Sequence, residues 1–216
     1  MIVLLLGAPG SGKGTQSQRL IKRYGFKYLA TGDIFRAEIA QKTALGLKAE
    51  GYVKAGKLVP DDVVLEMVAG RIEPGGQYLL DGFPRTVDQA HGLSEILRRA
   101  GTEVGLVLSL TLSSAEAIRR MSSRRICSNC GEVFNVISRA PRVENVCDKC
   151  GAALIQREDD SAATAEKRLM VFELQTQPLV AYYKGEQLLK EIDASGAPDA
   201  IEAAIAAEID ARGKAR

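Results

Sequence analysis

A glycine-rich loop constrains this chain more than any other feature. Residues 7–15 read Gly-Ala-Pro-Gly-Ser-Gly-Lys-Gly-Thr, directly after an apolar run at 2–6 and at the start of a helical pattern at 13–24. Glycines let the backbone curl so that successive N–H groups point at phosphate oxygens, and the following helix N-terminus adds a partial positive charge. The order of strand, loop and helix therefore predicts a nucleotide phosphate site. The alternative is a glycine-rich turn that holds no ligand.

The lysine and hydroxyl residues of this loop have separate expected tasks. Lys13 can reach the β- and γ-phosphates, and a hydroxyl can approach Mg²⁺. Gly14 follows the lysine where the general pattern has Ser or Thr, so Thr15 must supply that hydroxyl. A loop of this kind fits an ATPase, a GTPase or a kinase, because the fold alone does not fix the reaction. The residues expected to hold the phosphates are Gly10, Ser11, Gly12, Lys13, Gly14 and Thr15.

The rest of the chain alternates apolar runs with helical patterns. Further apolar runs lie at 78–80, 104–110 and 188–192, and helical patterns lie at 61–72, 86–99, 113–124, 161–183 and 198–212. This alternation predicts an α/β protein with a doubly wound parallel sheet, whose ligands bind beyond the carboxyl ends of the strands. Residues 31–59, which are helical without a strand, and 125–160 interrupt it. The expected core is therefore 1–29, 60–124 and 161–216, with insertions at 30–59 and 125–160.

Charge and hydropathy exclude several classes of protein. The chain of 216 residues has 29 Lys and Arg against 27 Asp and Glu, a net charge of +2. Nucleic-acid binders usually carry a strong basic excess, so we expect no nucleic-acid partner. No apolar run is long enough to span a membrane, and the N-terminal run lacks the basic residues of a signal peptide. The sequence thus predicts a cytoplasmic protein without a membrane partner.

A second motif stands where this architecture places its chemistry. Asp81-Gly82-Phe83-Pro84-Arg85 follows the apolar run at 78–80. Asp81 is positioned to hold a water molecule on Mg²⁺. Arg85 can grip a phosphate with two parallel hydrogen bonds. The motif narrows the expected reaction to one that handles a second phosphate group.

Four cysteines form two closely spaced pairs. Cys127 and Cys130 make the first pair, and Cys147 and Cys150 make the second, with 16 residues between the pairs. This spacing is typical of tetrahedral thiolate coordination of zinc, and four protein ligands leave no open position for catalysis. We therefore predict a structural Zn²⁺ site. The alternatives are a redox disulfide or four reduced thiols without a metal.

Together these motifs closely resemble the adenylate kinase family. Thr31-Gly32-Asp33-Ile34-Phe35-Arg36 and Ala55-Gly56-Lys57-Leu58-Val59 complete the pattern, and the resemblance covers residues 1–192. It implies Mg²⁺-dependent, direct in-line phosphoryl transfer, ATP + AMP ⇌ 2 ADP. It also implies an AMP-binding insertion at 30–59, a zinc-binding lid at 125–160 that closes over the site, and a monomeric enzyme.

The resemblance also implies a role for each matched residue. Thr31 and Gln89 would read the adenine of AMP, and Arg120 would stack on the adenine of ATP. The implied catalytic residues are Lys13, Arg85, Arg124, Arg157 and Arg168. The implied AMP pocket comprises Thr31, Arg36, Lys57, Leu58, Val59, Gly82, Phe83, Pro84, Arg85, Gln89, Arg157 and Arg168. Besides the phosphate loop, the implied ATP site comprises Arg120, Arg124, Val133, Phe134 and Gly196.

Two other functions remain open from the sequence. Kinases for UMP and CMP share the fold and commonly carry a smaller residue where Thr31 stands. A zinc-ribbon nucleic-acid module fused to a nucleotide switch would also combine a phosphate loop with paired cysteines. Phe134 is the only aromatic residue between the cysteine pairs, whereas single-stranded nucleic acids are bound by stacking on several aromatics.

Overall fold

A five-stranded parallel sheet forms the centre of the molecule. The computed structural model describes residues 1–214. The sheet order is β2-β3-β1-β4-β8, and all four neighbouring pairs run parallel. Its strands are β1 (Ile2–Gly7), β2 (Lys27–Ala30), β3 (Tyr78–Asp81), β4 (Val104–Thr111) and β8 (Leu189–Asp193). The predicted α/β fold with a parallel sheet is confirmed.

Strand β1 is buried on both faces and divides the core in two. Ile2, Leu4 and Leu6 pack on one face, and Val3 and Leu5 pack on the other, because successive strand side chains point in opposite directions. The helices that cover the first face are α4 (Asp61–Ala69), α5 (Val87–Arg99) and α8 (Pro178–Gly185). Those that cover the second are α1 (Lys13–Tyr24) and α9 (Pro198–Lys214). Burial of both faces explains the uninterrupted apolar run at 2–6.

Two helices between β2 and α4 lie outside this sheet. They are α2 (Thr31–Ala40) and α3 (Ala44–Lys54), and their contact is close because Gly46 has no side chain. A Cβ atom at Gly46 would lie 2.2 Å from the carbonyl oxygen of Glu38. Thr43 caps α3 by accepting a hydrogen bond from the Gly46 N–H. The predicted helical segment at 31–59 is therefore a helical pair.

The cysteine-bearing segment forms its own small antiparallel sheet. Its strands are β5 (Arg124–Cys127), β6 (Val133–Asn135) and β7 (Leu154–Ile155), in the order β6-β5-β7. The helix before it is α6 (Ser114–Ser122). A 3₁₀ turn (Glu158–Asp160) and helix α7 (Ala162–Val171) follow it. No helix of residues 1–214 is long and apolar enough to cross a membrane.

Three details differ from the sequence-based expectation. Strand β2 lies in a stretch where no strand was predicted, and it occupies one edge of the sheet. The single helix predicted over 161–183 is interrupted by a wide turn of π type (Phe172–Thr176). The helix predicted over 113–124 ends at Ser122, and Arg124 opens strand β5 instead.

Candidate active site

The phosphate loop lies between β1 and α1, as the sequence predicts. Gly7, Gly10 and Gly12 adopt positive φ angles of 143°, 86° and 93°, a region that favours glycine. A Cβ atom at Gly10 would lie 2.5 Å from the carbonyl oxygen of Ala117 on α6. Glycine is thus required at Gly10 both by backbone conformation and by packing. Gly12 caps α1 in a left-handed conformation, so the helix N-terminus opens directly onto the loop.

The side chain of Lys13 is folded back onto this loop. Its ammonium nitrogen donates to the carbonyl oxygens of Gly7 at 2.7 Å and Ala8 at 2.9 Å. Burial, together with the nearby Arg85, lowers the pKa of Lys13 to about 8, against the opposing attraction of Asp81. A buried cation without a full counter-charge favours an anionic ligand. The loop therefore offers a desolvated positive charge beside an array of backbone donors.

Asp81 ends strand β3 beside the loop. The hydroxyl of Tyr28 donates to its Oδ2 at 3.0 Å, and the hydroxyl of Ser17 is 3.4 Å from the same oxygen. Both hydroxyl groups donate to Oδ2 of Asp81, so Oδ1 accepts a hydrogen bond from neither of them. Tyr28 comes from β2 and Ser17 from α1, so three elements fix the orientation of this carboxylate. Oxygen donors of this kind suit a hard divalent cation or its bound water.

The turn after β3 places Arg85 next to Thr31. The Nε of Arg85 donates to the carbonyl oxygen of Gly82 at 2.7 Å, and the Thr31 hydroxyl donates to the same oxygen at 2.8 Å. Gly82 has a φ of 71°, and a Cβ there would lie 2.9 Å from Arg85 Nη2. Burial and the neighbouring Arg168 lower the pKa of Arg85 to about 10. The Nη atoms of Arg85 remain available for a phosphate group.

Asp160 holds two of the predicted catalytic arginines together. It is fully buried, and its carboxylate pairs with both Nε and Nη2 of Arg124, with Nε at 2.7 Å. Arg168 Nη1 donates to the same carboxylate at 3.0 Å and lies 3.1 Å from the carboxylate of Asp159. For Arg124, burial alone would lower the pKa, but the hydrogen bonds to Asp160 raise it. The two guanidinium groups are therefore fixed side by side.

Two more arginines join this cluster through Asp33. Arg36 Nη2 lies 2.5 Å and Arg157 Nη2 lies 3.5 Å from Asp33 Oδ1, and Arg36 also approaches Asp159 at 3.8 Å. Burial and the adjacent Arg36 and Arg124 lower the pKa of Arg157 to about 10. These ion pairs connect the segment at 30–59 with the end of the cysteine-bearing segment. The structure thus brings together all five predicted arginines of the phosphate sites: Arg36, Arg85, Arg124, Arg157 and Arg168.

A pocket of about 500 Å³ lies between α3, α4 and the turn after β3. Leu58 and Val59 line it, whereas Lys57 is exposed and is not part of the lining. The complete lining is Tyr52, Leu58, Val59, Pro60, Asp61, Thr86, Asp88 and Gln175. Phe83 and Pro84 are buried behind the turn and support it from the core side. The lining is half apolar and half polar, and the pocket is open to solvent.

Gln89 is buried next to this pocket, with both ends of its amide engaged. Its Nε2 donates to Asp61 Oδ1 at 2.7 Å, and its Oε1 accepts from the Arg85 backbone N–H at 2.8 Å. The Thr86 hydroxyl donates to Asp61 at 2.7 Å. A glutamine amide has two hydrogens and two lone pairs, so one of each remains for a ligand. The Thr31 hydroxyl, whose hydrogen is used on Gly82, can act only as an acceptor.

The residues predicted to contact the ATP base separate into two groups. Arg120 and Gly196 are brought close, because Arg120 donates to the carbonyl oxygens of Ala194 and Ser195. Phe134 instead points into the small core of the cysteine-bearing segment and is 1% exposed. Its side chain does not face a ligand, so a nucleotide contact there is confined to its backbone. Val133 is half-buried one residue earlier on β6.

The sequence is similar to those of known proteins over most of its length. The family described as adenylate kinase matches residues 5–188. The chain belongs to the adenylate kinase family. A protein from Caldicellulosiruptor bescii named adenylate kinase is 48% identical over 192 residues, which is 88% of this chain and 89% of that one. Another of that name, from Citrifermentans bemidjiense, is 43% identical over 214 residues, 98% of this chain and all of its own.

The four cysteines of this adenylate kinase family member converge on one point. Their sulfur atoms all lie within 4.8 Å of one another, with Cys127 and Cys150 at 3.4 Å and Cys130 and Cys147 at 3.6 Å. Four sulfurs bound tetrahedrally to zinc at 2.3 Å would be about 3.8 Å apart. All four thiols are free, so the structure contains no disulfide between them. The donor set and its spacing therefore fit a tetrahedral metal such as zinc.

Both cysteine pairs sit on the same kind of turn. The Gly131 N–H donates to the Cys127 carbonyl, and the Gly151 N–H donates to the Cys147 carbonyl. The backbone N–H of Cys130 lies 3.4 Å from the Cys127 sulfur and lowers the pKa of that thiol. Hydrogen bonds of this kind stabilise the thiolate, which is the form that binds metals. The repeated turn explains why a glycine follows each pair.

Three carboxylates of the site were missed from the sequence. Asp33, Asp159 and Asp160 pair with the arginines but were not predicted as site residues. The clustered arginines of this site are largely buried, and buried cations need counter-charges when no ligand is present. The available signal, for Asp159 and Asp160, was the run of three acids after Arg157, Arg-Glu-Asp-Asp at 157–160.

Proposed function

We propose that this chain catalyses ATP + AMP ⇌ 2 ADP. The observation that carries the proposal is the meeting of Lys13, Arg85, Arg124 and Arg168 beside Asp81, where β1 and β3 end. The three arginines and Asp81 each affect the pKa of Lys13, so all five groups share one site. The transferred phosphoryl group carries spread negative charge, and its transfer depends on positioning and electrostatic stabilisation. The membership of the adenylate kinase family favours AMP over UMP or CMP as the acceptor.

On the donor side, the loop at 10–15 would hold the ATP phosphates. Its backbone N–H groups and the N-terminus of α1 favour oxygen anions. Lys13 would leave the carbonyl groups of Gly7 and Ala8 and bind the β- and γ-phosphates. Arg124 would lie against the transferred group, held in place by Asp160. Arg120 would stack on the adenine, close to Gly196 and the backbone of Val133 and Phe134.

On the acceptor side, Arg85 and Arg36 would hold the phosphate of AMP. Arg157 and Arg168 would lie between the two phosphate sites, a placement supported by their pairs with aspartates that also contact neighbouring arginines. Leu58, Val59 and Gly82 would surround the nucleoside, with Lys57 at the rim and Phe83 and Pro84 as support. Thr31 would accept a hydrogen bond from the adenine amino group, and Gln89 would offer its remaining N–H and lone pair.

Mg²⁺ would be held through the Thr15 hydroxyl and a water molecule on Asp81. Both are hard oxygen donors, the type that Mg²⁺ prefers, and Asp81 is oriented by Tyr28 and Ser17. When bound with ATP, the ion neutralises part of the charge that develops on the phosphates. Asp81 contributes its fixed orientation, and Lys13 contributes its positive charge.

The insertions at 30–59 and 125–160 would close over the phosphates before transfer. Water competes with AMP for the phosphoryl group, so the site has to exclude it, a motion for which adenylate kinases are a standard example. The pairs Arg157–Asp33 and Arg36–Asp159 already join the two insertions across the site. Closure would also keep Arg36 and Arg157 close together, and bound phosphate would offset the repulsion between them.

The four-cysteine cluster would hold a structural Zn²⁺. It leaves no open coordination position, so the metal would stabilise the lid and take no part in the transfer. Free thiolates persist in a reducing compartment, which supports a location in the cytoplasm. The substrates would be ATP, AMP and ADP, and we propose a monomer because both nucleotide sites are built from one chain.

A coupled assay tests the proposed reaction. ADP formation is measured from MgATP with AMP, UMP, CMP or GMP as acceptor, and from MgATP alone. Turnover that is fastest with AMP supports the proposal. Faster turnover with UMP or CMP would support the pyrimidine kinase instead, and ADP formation without any acceptor would indicate an ATPase.

A further inference from the structure

Each of the three guanidinium nitrogens of Arg120 donates a hydrogen bond to the protein. The residue lies in the last turn of α6. Its Nε donates to Glu116 Oε1 at 2.7 Å, its Nη1 to the carbonyl oxygen of Ala194 at 2.9 Å, and its Nη2 to that of Ser195 at 3.4 Å. Guanidinium donors all lie in the plane of the group. Three acceptors placed around the edge of the group therefore fix the orientation of its plane.

The same contacts leave the two faces of the guanidinium group unoccupied by hydrogen bonds. A planar cation whose hydrogen bonds are made at its edge is suited to stack on an aromatic ring such as a nucleobase. A long side chain that is not held in place loses rotational freedom on stacking, which weakens the contact. Holding Arg120 in advance removes most of that loss. The side chain of Arg120 is 23% exposed, so a ligand can reach it.

The acceptors around Arg120 are themselves fixed. The Ala194 N–H donates to the Thr111 carbonyl at 2.9 Å, and the Ser195 N–H donates to Asp193 Oδ1 at 2.9 Å, so the loop after β8 is tied to the sheet. Glu116 lies one helical turn before Arg120, where i,i+4 side chains meet. Hydrogen bonds from Arg119 and Arg120 lower the pKa of Glu116 to about 2, which keeps it ionised.

We infer that Glu116 is a positioning residue for the ATP base. Together with the carbonyl groups of Ala194 and Ser195, it holds the Arg120 guanidinium plane in the orientation that stacks on adenine. This inference rests on the proposed function, because it takes Arg120 as the stacking residue. Arg120 also contacts the lid, because the side chain of Asn135 on β6 donates a hydrogen bond to the backbone carbonyl oxygen of Arg120 at 3.2 Å. The base site, the lid strand and the loop after β8 thus meet at one arginine.

The test separates the base contact from the phosphate contacts. Dissociation constants for ATP and for inorganic tripolyphosphate, which has no base, are measured by calorimetry for wild type, Glu116→Ala, Glu116→Gln and Arg120→Ala. Removing a negative charge changes the affinity for both polyanions, so the ratio of the two constants is the readout. Arg119→Ala is the matched control, because exposed Arg119 shares the Glu116 carboxylate but not the contacts to Ala194 and Ser195.

We expect Glu116→Ala to reduce the preference for ATP over tripolyphosphate three- to tenfold, toward the value of Arg120→Ala. Glu116→Gln keeps an acceptor oxygen and should retain most of the preference. Arg119→Ala should retain all of it, and the KM for AMP and the thermal midpoint should not change in Glu116→Ala. If wild type prefers ATP and Glu116→Ala does so equally, the inference about Glu116 is wrong. If wild type shows no preference, the stacking role of Arg120 and the inference both fail, while AMP phosphorylation remains a separate result.

Discussion

The ammonium nitrogen of Lys13 lies 2.7 Å from the carbonyl oxygen of Gly7 and donates a hydrogen bond to it. Gly7 is the last residue of β1, and Lys13 is the first residue of α1, so this contact closes the phosphate loop on itself. The carbonyl oxygens of Gly7 and Ala8 only partly compensate a buried ammonium group, whose pKa is lowered to about 8. Phosphate oxygens carry more charge, so nucleotide binding should draw Lys13 away from the loop carbonyls.

The first prediction is that Lys13→Met lowers kcat by much more than tenfold without unfolding the protein. The side chain acts on phosphate charge, and methionine keeps much of its volume. A loss of less than tenfold would correspond to under about 1.4 kcal/mol of barrier, too little for a group on the transferred phosphate. Steady-state kinetics and the thermal midpoint are measured together. Lys22→Met, at an exposed position of the same helix, is the control and should retain full activity.

The second prediction concerns proton uptake by Lys13. With a pKa of about 8 in the free protein, Lys13 is mostly neutral at pH 8.5 and mostly charged at pH 7. Bound phosphates favour the charged form of Lys13. ATP binding at pH 8.5 should therefore be accompanied by the uptake of roughly three quarters of a proton, and the affinity for ATP should fall as the pH rises further. Calorimetry in buffers of different ionisation enthalpy measures the uptake. Equal uptake in wild type and Lys13→Met would assign the proton to another group.

The carboxylate of Asp160 is the subject of the third prediction. Asp160 is fully buried and pairs with Arg124 and Arg168, so Asp160→Asn removes the ion-pair partner of Arg124 and leaves Arg168 with the carboxylate of Asp159 alone. We expect a loss of about 2–5 kcal/mol in the free energy of unfolding, together with a lower kcat, since both guanidinium groups lose their orientation. Denaturant unfolding and kinetics provide the two readouts. Exposed Asp62→Asn should change neither, and a fully stable Asp160→Asn would contradict the account of this pair.

The elements with two buried faces could be predicted from sequence, and the edge of the sheet could not. Strand β1 is a run of apolar residues because helices cover both of its faces. Strand β2 has only four residues, begins with the exposed Lys27, and pairs with β3 alone, so its composition carries little signal. The π turn at Phe172–Thr176 also left no trace in the helical periodicity on either side of it.

The cations of the site were predictable, and their partners were not. Arg85 and Arg124 belong to short motifs with a fixed relation to the strands. Asp33 and Asp160 act through arginines that are 124 and 36 residues away in the chain, at Arg157 and Arg124 respectively. The Arg36–Asp33 pair is local, whereas the Arg157–Asp33 pair joins the two insertions. The Arg124–Asp160 pair joins the two ends of the cysteine-bearing segment, so it and the Arg157–Asp33 pair both need the folded chain. Sequence spacing alone does not indicate them.

The fourth prediction is that Thr31→Ala weakens the discrimination between AMP and UMP. The Thr31 hydroxyl donates to the Gly82 carbonyl, so toward a ligand it can only accept, which suits an amino group better than a carbonyl group. One such hydrogen bond contributes about 0.5–1.5 kcal/mol, so the ratio of kcat/KM values should fall three- to tenfold. Thr31→Ser keeps the hydroxyl and should behave as wild type. An unchanged ratio in Thr31→Ala would place the specificity elsewhere.

The fifth prediction is that the metal stabilises the lid and is not needed for the chemistry. The buried core of the segment at 125–160 consists of Cys127, Phe134, Cys147 and Leu154, with Ala152 partly buried against it. So small a core cannot offset the entropy of ordering its backbone, and zinc bound to four thiolates would supply the missing free energy. Cys147→Ser should therefore lose zinc and melt at a lower temperature, yet keep substantial activity in the cold.

Metal content per chain and activity at low and high temperature test this last prediction together. Arg124 and Arg157 lie at the base of the lid and are held by Asp160 and Asp33, not by the cysteines, so they should still reach the phosphates in Cys147→Ser. Ser128→Ala, between the first two cysteines, is the control and should keep both metal and stability. Wild-type protein without metal, or an inactive Cys147→Ser of unchanged thermal midpoint, would exclude a structural role for zinc.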